Sequence, residues 1–166
     1  MDPATFFAAS RVVIVAGKGG VGKTTVTAAL ARAASLEGHR ALVVEVEGKS
    51  GLPAIFGAED LGYEEIALAE AGTPEGAADV RARTITPDAA MLEYLEAHGM
   101  SRVAKRLVSS GAIDTLATAA PGIKDILVLG KVKALERDDP ADVIVLDAPA
   151  AGHAITFLRS ARGLLD

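Results

Sequence analysis

Apolar residues recur along this chain in short runs of strand length, separated by longer segments with helical spacing. Arg11 to Ala16 is a nearly continuous apolar run, and the segment that follows, to about Glu37, has the apolar periodicity of a helix. Gly38 stands where a helix C′ glycine is expected, and a second strand is predicted over Ala41 to Glu47. This order of strand, helix and strand predicts a parallel sheet with right-handed crossovers.

The rest of the chain continues the alternation. The further predicted elements are a strand pair, Tyr63 to Ala69 and Val80 to Thr86; a helix from Thr86-Pro87 to Gly99; a helix from Ser101 to Ser110; a helix from Pro121 to near Arg137; and a strand from Asp142 to Leu146. No element is predicted in the short arm that contains Phe6 and Phe7. We therefore expect one α/β domain over residues 1–166, with a helical segment at about 88–119 inserted between sheet strands.

Composition narrows the class of protein. Half of the 166 residues are apolar but only 4% are aromatic, and there are 17 glycines, which suits tightly packed α/β layers. The absence of cysteine excludes thiolate metal sites and disulfides within this sequence. No apolar run is long enough to span a bilayer, and the first residues lack a basic signal region, so we expect a cytoplasmic protein. The net charge of −5 argues against direct nucleic-acid binding.

The run GKGGVGKTT fits the phosphate-binding pattern G-x-x-x-x-G-K-[ST], with a predicted strand before it and a predicted helix after it. In such loops, backbone N–H groups and the helix N-terminus bind phosphate oxygens, the lysine reaches the β- and γ-phosphates, and the hydroxyl ligates Mg²⁺. The candidate nucleotide-binding residues are Gly17, Lys18, Gly19, Gly20, Val21, Gly22, Lys23, Thr24 and Thr25. Lys23 and Thr24 are the candidates for phosphate and metal contact, respectively.

Asp147 follows the apolar run 143–146, at the strand end where ligands bind in open α/β sheets. A carboxylate at this place is expected to hold Mg²⁺ through water in phosphate-loop enzymes. Gly152 lies shortly after it, and its N–H is a candidate contact for the γ-phosphate. The neighbouring His153 fits a helix cap or a packing residue as well as a phosphate sensor.

Two further residues are candidates for catalysis. Glu45 and Glu47 share one face of the second strand, and Glu47 lies nearer the carboxyl edge, so it is the candidate for orienting the attacking water. An exposed strand-end acid is the competing interpretation. Lys18 is not needed to bind one nucleotide, and it is placed to reach a phosphate held by a facing subunit, in the manner of an arginine finger.

These residues resemble a known family. KGGVGKTT resembles the deviant Walker A loop of the ATPases that include the ParA- and MinD-like proteins, the nitrogenase iron protein and the arsenite-transporting or tail-anchored-protein-targeting ATPases. Residues 147–153, 121–125 and 44–56 resemble this last branch at its switch II, PGIDE and switch I segments, and most closely its bacterial ArsA-related members. The resemblance spans residues 10–166. It implies a phosphate-loop NTPase fold, ATP and Mg²⁺ as cofactors, and a homo- or heterodimer in which Lys18 contacts nucleotide across the interface.

The chain also departs from that family pattern. Glu47 stands where the family has its water-activating aspartate, and the cysteines needed for arsenite or for a zinc clasp are absent. Family members are about twice as long, so the chain looks like an N-terminal half whose sheet is incomplete at the C-terminus. It is expected to be either a fragment or an incomplete ATPase that needs a partner. In the family's sheet the strand 11–16 is central, with the Asp147 strand on one side and a later strand on the other.

The resulting hypothesis is Mg-dependent ATP binding and hydrolysis in a dimer that couples nucleotide state to a client-handling or anion-handling surface. A catalytically weak, nucleotide-binding partner subunit of a heterodimer and a ParA- or MinD-like positioning ATPase are the alternatives. A hydrophobic protein client is a possible partner. Core packing is the favoured explanation of the residues that would line its groove, which are the apolar residues of the helical segment: Met91, Leu92, Leu95, Met100, Val103, Leu107, Ile113 and Leu116.

Overall fold

A computed structural model of the protein describes residues 2–46, 51–72, 77–110, 122–138 and 140–150. The strands in these ranges are β1 (Val12–Gly17), β2 (Ala41–Val46), β3 (Ile66–Ala69), β4 (Val80–Ile85) and β5 (Val143–Ala150). The helices are α1 (Pro3–Ala9), α2 (Lys23–Leu36), α3 (Leu52–Phe56), α4 (Pro87–Ala97), α5 (Ser101–Ser109) and α6 (Ile123–Asp138).

The strands form a single sheet in the order β1-β5-β2-β4-β3. The pairs β1–β5, β5–β2 and β2–β4 are parallel, and β3 runs antiparallel to β4. The predicted α/β class with a mostly parallel sheet is therefore confirmed, as is the predicted pairing of the two strands that flank residues 70–79. Among the described residues β1 is hydrogen-bonded to β5 alone, and Ile14 in this edge strand is 37% exposed.

The two central strands, β2 and β5, are buried on both faces because helices cover each face. On one face Val43 and Val145 lie in a cluster with the small residues of α2. On the other face Leu42 and Leu146 pack with the apolar side of α6. Strands buried on both faces are expected to be continuous apolar runs, and this explains why β2 and β5 were visible in the sequence.

The predicted helix ends agree with the structure at two boundaries. At the end of α2, Gly38 adopts a left-handed φ of 84°, and the N–H of Glu37 donates to the carbonyl of Ala33 at 3.1 Å. At the start of α4, the Thr86 hydroxyl accepts a hydrogen bond from the N–H of Ala89 at 3.3 Å. These local contacts fix where the chain leaves and re-enters the sheet.

The N-terminal arm folds as helix α1, where the sequence analysis predicted no element. The side chain of Asp2 caps this helix by accepting from the N–H of Thr5 at 3.2 Å, and Pro3 occupies its first turn. Asp followed by Pro is a helix-start signal that was present in the sequence. Phe7 anchors the helix, since it is only 4% exposed within the cluster beneath α2.

Strand β5 is longer than predicted. It continues to Ala150, so Asp147 lies within the strand and not beyond its end. The cause is pairing with the edge strand: Val15 pairs with Asp147 and, after an irregularity in register, Gly17 pairs with Ala150. The extra length carries β5 alongside the beginning of the phosphate loop.

The helical segment packs on the α6 side of the sheet. Helix α4 contacts both α5 and α6, and Glu93 of α4 accepts hydrogen bonds from Lys131 at 2.5 Å and from the hydroxyl of Tyr63. The guanidinium of Arg83 lies 4.5 Å from the centre of the Tyr63 ring. Ile113 and Leu116 lie outside the described residues. In the part of the chain that the structure describes, no helix is both long and apolar enough to cross a bilayer.

Candidate functional site

The loop of residues 18–22 connects β1 directly to α2, and two of its glycines adopt conformations that other residues avoid. Gly20 has φ 76° and Gly22 has φ 88°, both left-handed. A Cβ atom added at either position would meet nothing within 4 Å, so these glycines are required for backbone conformation and the loop surface beside them is open. At Gly17 the reason is packing, because a Cβ there would lie 3.1 Å from a methyl group of Val21.

The N-terminus of α2 has no side-chain cap. Gly22 is the N-cap residue and offers only its carbonyl, which accepts from the N–H of Val26 at 3.0 Å. A first helical turn without a capping side chain leaves backbone N–H groups to bind another acceptor, and the helix dipole favours an anion there. This end of α2 is therefore suited to a phosphate group.

Two lysines flank the same open loop. The ammonium of Lys23 donates to the carbonyl of Lys18 at 3.4 Å, so its positive charge lies over the loop that the glycines shape. The side chain of Lys18 itself is exposed to solvent. The two residues thus differ in placement: the Lys23 ammonium contacts its own loop, and Lys18 is accessible from outside.

Thr24 and Asp147 join α2 to β5 at the base of the loop. The Thr24 hydroxyl donates to Oδ2 of Asp147 at 2.8 Å. Asp147 is only 6% exposed, and its other oxygen, Oδ1, has no hydrogen-bond partner among the described residues. A buried carboxylate oxygen without a partner is unfavourable unless a water, a cation or another donor completes it.

The electrostatics of Asp147 reflect this environment. Burial raises the pKa of its carboxyl group, while the hydrogen bond from Thr24, the positive charge of Lys23 and the hydroxyl of Thr27 act in the opposite direction. The net effect is a raised pKa for Asp147, so keeping this carboxylate ionised lowers the stability of the folded protein. A bound cation would offset that cost.

The donor set fits Mg²⁺. A threonine hydroxyl and a buried carboxylate with one uncommitted oxygen are ligands of the kind that Mg²⁺ takes beside nucleotide phosphates, where it keeps several waters. Within the described ranges there is no group of three or more acidic or histidine side chains able to hold a metal. The site is therefore suited to a metal whose remaining ligands come from phosphate and water.

Some of the predicted site residues lie together in the structure, and others lie outside the described residues. Lys23, Thr24 and Asp147 lie together, and the predicted loop residues from Gly17 to Thr25 surround them. Glu47, Gly152 and His153 lie outside the described residues. Thr27 was missed by the sequence analysis: it is completely buried one turn after Thr24, and its hydroxyl acts on the carboxylate of Asp147. The signal for it was its helical spacing from Thr24.

Comparison with known proteins finds related ATPases. Residues 10–164 match the profile of the family described as anion-transporting ATPase. ATPase BagA of Mycobacterium tuberculosis is 38% identical over 163 residues, which cover 94% of this chain and 47% of the relative. ATPase get3 of Schizosaccharomyces japonicus is 30% identical over 146 residues, 88% of this chain and 42% of the relative. ATPase GET3C of Arabidopsis thaliana is 31% identical over 157 residues, with 87% and 40% coverage.

The chain thus spans about half the length of the curated relatives that it matches. The family resemblance drawn from the phosphate loop and from the segments around Asp147 is confirmed by the profile match and by these relatives.

Proposed function

Since the chain belongs to the anion-transporting ATPase family, we propose that it binds Mg·ATP and takes part in its hydrolysis as the nucleotide-binding half of a dimeric ATPase. The observation that carries the proposal is the link between the loop and the sheet. Thr24, the residue after the loop lysine, is hydrogen-bonded at 2.8 Å to a buried Asp147 that keeps one oxygen uncommitted. Loop, helix terminus, hydroxyl and carboxylate together form the parts that phosphate-loop enzymes use.

Different groups of the site are proposed to bind the phosphates and the metal. Backbone N–H groups of the loop and of the first turn of α2 would bind phosphate oxygens, and Lys23 would neutralise the β- and γ-phosphates. Mg²⁺ would be held by Thr24 directly and by Asp147 through water, and when bound it would neutralise charge that develops on the phosphates. Asp147 also fixes the Thr24 hydroxyl in place before any ligand arrives.

Hydrolysis requires two further roles. Glu47 is proposed to orient the attacking water, and the N–H of Gly152 to contact the γ-phosphate. Lys18 is proposed to act on a nucleotide held by a second subunit, which is supported by its exposed side chain beside the loop. If Glu47 supports turnover poorly, the protein acts as the weak nucleotide-binding partner of a heterodimer. Phosphate release measured alone and with a related subunit separates these two cases.

A hydrophobic client or an anion is the proposed downstream partner. Three large hydrophobic residues in the described part of the helical segment are open to contact: Tyr94 is 55% exposed, Met100 is 40% exposed and Val103 is 50% exposed. Leu95, by contrast, is only 9% exposed and belongs to the packed interior of the segment. Any apolar client surface on the described part of this segment therefore spans the end of α4 and the start of α5. The proposed location of the protein is the cytoplasm.

Replacement of Lys23 by alanine tests nucleotide binding. We expect Lys23→Ala to reduce ATP affinity by roughly 100-fold or more, because the phosphates lose their point charge. Lys105→Ala is a matched control, since Lys105 is exposed on α5, away from the loop. Isothermal titration with ATP and Mg²⁺ measures both variants. Equal ATP affinity in the two variants would remove the phosphate-site assignment.

Replacement of Lys18 tests the role across the interface. We expect Lys18→Ala to bind ATP as the unchanged protein does but to lose ATP-dependent dimers and hydrolysis, because an exposed lysine acting in trans is not needed for binding within one subunit. Light scattering with and without ATP, together with phosphate release, measures the two effects. Normal ATP-driven dimers with normal turnover would contradict the proposal.

A further inference from the structure

Helix α2 brings a second hydroxyl to Asp147, one turn beyond Thr24. Thr27 follows Thr24 by three positions, so the two side chains lie on the same face of the helix, with Cβ atoms about 5–6 Å apart. Thr24 donates to Oδ2 of Asp147 at 2.8 Å. The Thr27 hydroxyl acts on the same carboxylate. One carboxylate of β5 thus faces hydroxyls from two successive turns of α2.

Thr27 lies in the interface between α2 and the sheet, where it is 0% exposed. Its buried neighbours on α2 include Ala28 and Ala31, which lie in one apolar cluster with Val145 of β5. Val145 and Asp147 are two positions apart on the strand and therefore face the same side of the sheet. The small side chains let α2 lie close to β5, and this brings the Thr27 hydroxyl near Asp147.

The choice of a hydroxyl at this buried position has a physical cost. A hydroxyl in an apolar interface is unfavourable unless a polar group meets it, whereas a valine of the same shape would have no such penalty. The polar group that Thr27 meets is Asp147, which is itself 6% exposed and whose Oδ1 has no hydrogen-bond partner in the part of the chain that the structure describes. We therefore relate the hydroxyl to the carboxylate and not to the packing of α2.

The two threonines differ in what else they are placed to do. Thr24 is proposed to ligate Mg²⁺, so its oxygen would be shared between the metal and the strand. Thr27 is completely buried one turn further along the helix, so it is not placed to contact a nucleotide or a metal ion. A hydroxyl that acts on the carboxylate alone favours its charged form and restricts its orientation, with or without a bound metal.

We propose that Thr27 is a positioning residue of the Mg²⁺ site, whose hydroxyl orients the Asp147 carboxylate toward the water shell of the metal. This inference rests on the proposed Mg·ATP function. Groups that orient the carboxylates of a metal site tune its affinity without touching the metal. Thr27 should therefore affect the binding of Mg²⁺ and leave nucleotide binding in the absence of metal largely unchanged.

Two substitutions separate the hydroxyl of Thr27 from its methyl group. Thr27→Val keeps the branched shape and removes the hydroxyl, and Thr27→Ser keeps the hydroxyl and removes the methyl group. Isothermal titration with ADP at a series of Mg²⁺ concentrations gives the Mg²⁺ concentration for half-maximal effect. We expect it to rise roughly 10-fold in Thr27→Val and less than about 2-fold in Thr27→Ser, with metal-free ADP affinity changed less than about 3-fold in both. Paramagnetic resonance of Mn²⁺ with ADP gives the same comparison without turnover.

Ser35→Ala is the matched control, because it removes another completely buried hydroxyl from the same helix. Ser35 lies near the opposite end of α2 from the loop, and its hydroxyl donates to the carbonyl of Ala78 at 2.6 Å. We expect Ser35→Ala to lower thermal stability, since the hydrogen bond is lost, and to leave the Mg²⁺ requirement unchanged.

If Thr27→Val does not fold, Thr27→Ala and Thr27→Ser decide the question, since both lose the methyl group and only serine keeps the hydroxyl. A Mg²⁺ requirement within about 2-fold of the unchanged protein in the variant without the hydroxyl, accompanied only by lower thermal stability, would identify a structural threonine and overturn the inference. An equal rise in the variants with and without the hydroxyl would assign the effect to packing and overturn it as well.

The two proposals fail in different ways. If the unchanged protein binds ADP in a Mg²⁺-dependent manner and Thr27→Val behaves identically, only the role of Thr27 is wrong. If the unchanged protein binds no nucleotide with or without Mg²⁺, the proposed function is wrong and the inference about Thr27 falls with it.

Discussion

Two aspartates five positions apart, one just before β5 and one within it, have opposite environments. Asp142, at the amino end, accepts three hydrogen bonds from Arg40: from its backbone N–H at 2.8 Å and from its guanidinium at 3.2 and 2.8 Å. Asp147, toward the carboxyl end, accepts a hydrogen bond from the Thr24 hydroxyl at 2.8 Å, and its buried Oδ1 has no hydrogen-bond partner in the part of the chain that the structure describes. The pKa of Asp142 is lowered, chiefly by the side chain of Arg40, and the pKa of Asp147 is raised, chiefly by burial.

This difference separates a carboxylate that stabilises the fold from one that is held ready for a ligand. Asp142 has the partners it needs within the folded chain, and it ties the start of β2 to the start of β5. Asp147 is costly to bury as an anion, and its environment improves only when positive charge or hydrogen-bond donors arrive. Sites that bind ligands are often less satisfied than the scaffold around them.

The largest effect is expected when Asp147 is made neutral. Asp147→Asn should raise the Mg²⁺ concentration required for ADP binding by roughly 10- to 100-fold, because the shape is kept and the charge is lost. The free protein should be as stable as before or more so, since the removed charge was buried with incomplete compensation. Titration with ADP at varied Mg²⁺ and thermal unfolding without ligand measure the two quantities.

Asp142→Asn is the natural counterpart, because it makes the same chemical change near the other end of the same strand. It should leave the Mg²⁺ requirement unchanged. An equal loss of Mg²⁺ dependence in both variants would mean that the substitutions act through the sheet as a whole, and the contrast between the two aspartates would then have no functional meaning.

The sequence predicted the scaffold of this site well, since its signals are local. The glycines and lysines of the loop, the apolar strand before it and the apolar run ending at Asp147 are each visible in a short window. The structure adds the contact that unites them, the 2.8 Å hydrogen bond between Thr24 and Asp147. The residues are 123 positions apart, and their meeting depends on β5 lying next to β1.

The register that places Glu45 of β2 beside Asp147 of β5 was not predictable from the sequence for the same reason. Alternation along β2 placed Glu45 on a face, but no local pattern states that β2 lies between β5 and β4 or which residues share a register. A one-residue shift of register would send the same side chain to the opposite face of the sheet.

The smallest expected effect is the contribution of Asp142 to stability. The side chains of Arg40 and Asp142 are 50% and 39% exposed, so solvent screens the pair, and Asp142→Asn should lower the free energy of unfolding by no more than about 1 kcal/mol.

Because the pKa of Asp142 is lower in the folded protein, this stabilisation is fully present above the ordinary carboxyl pKa and is lost as pH falls through the lowered value. Asp147, with a raised pKa, acts oppositely: its contribution improves as pH falls toward the ordinary carboxyl value. Urea unfolding from pH 7 down to pH 3 should therefore show a reduced acid-side loss of stability in Asp142→Asn and an increased loss in Asp147→Asn. The control Asp138→Asn should follow the unchanged protein, since that side chain is 63% exposed and lies 3.8 Å from Arg137. Parallel curves for all three variants would show that neither aspartate controls the pH dependence of folding.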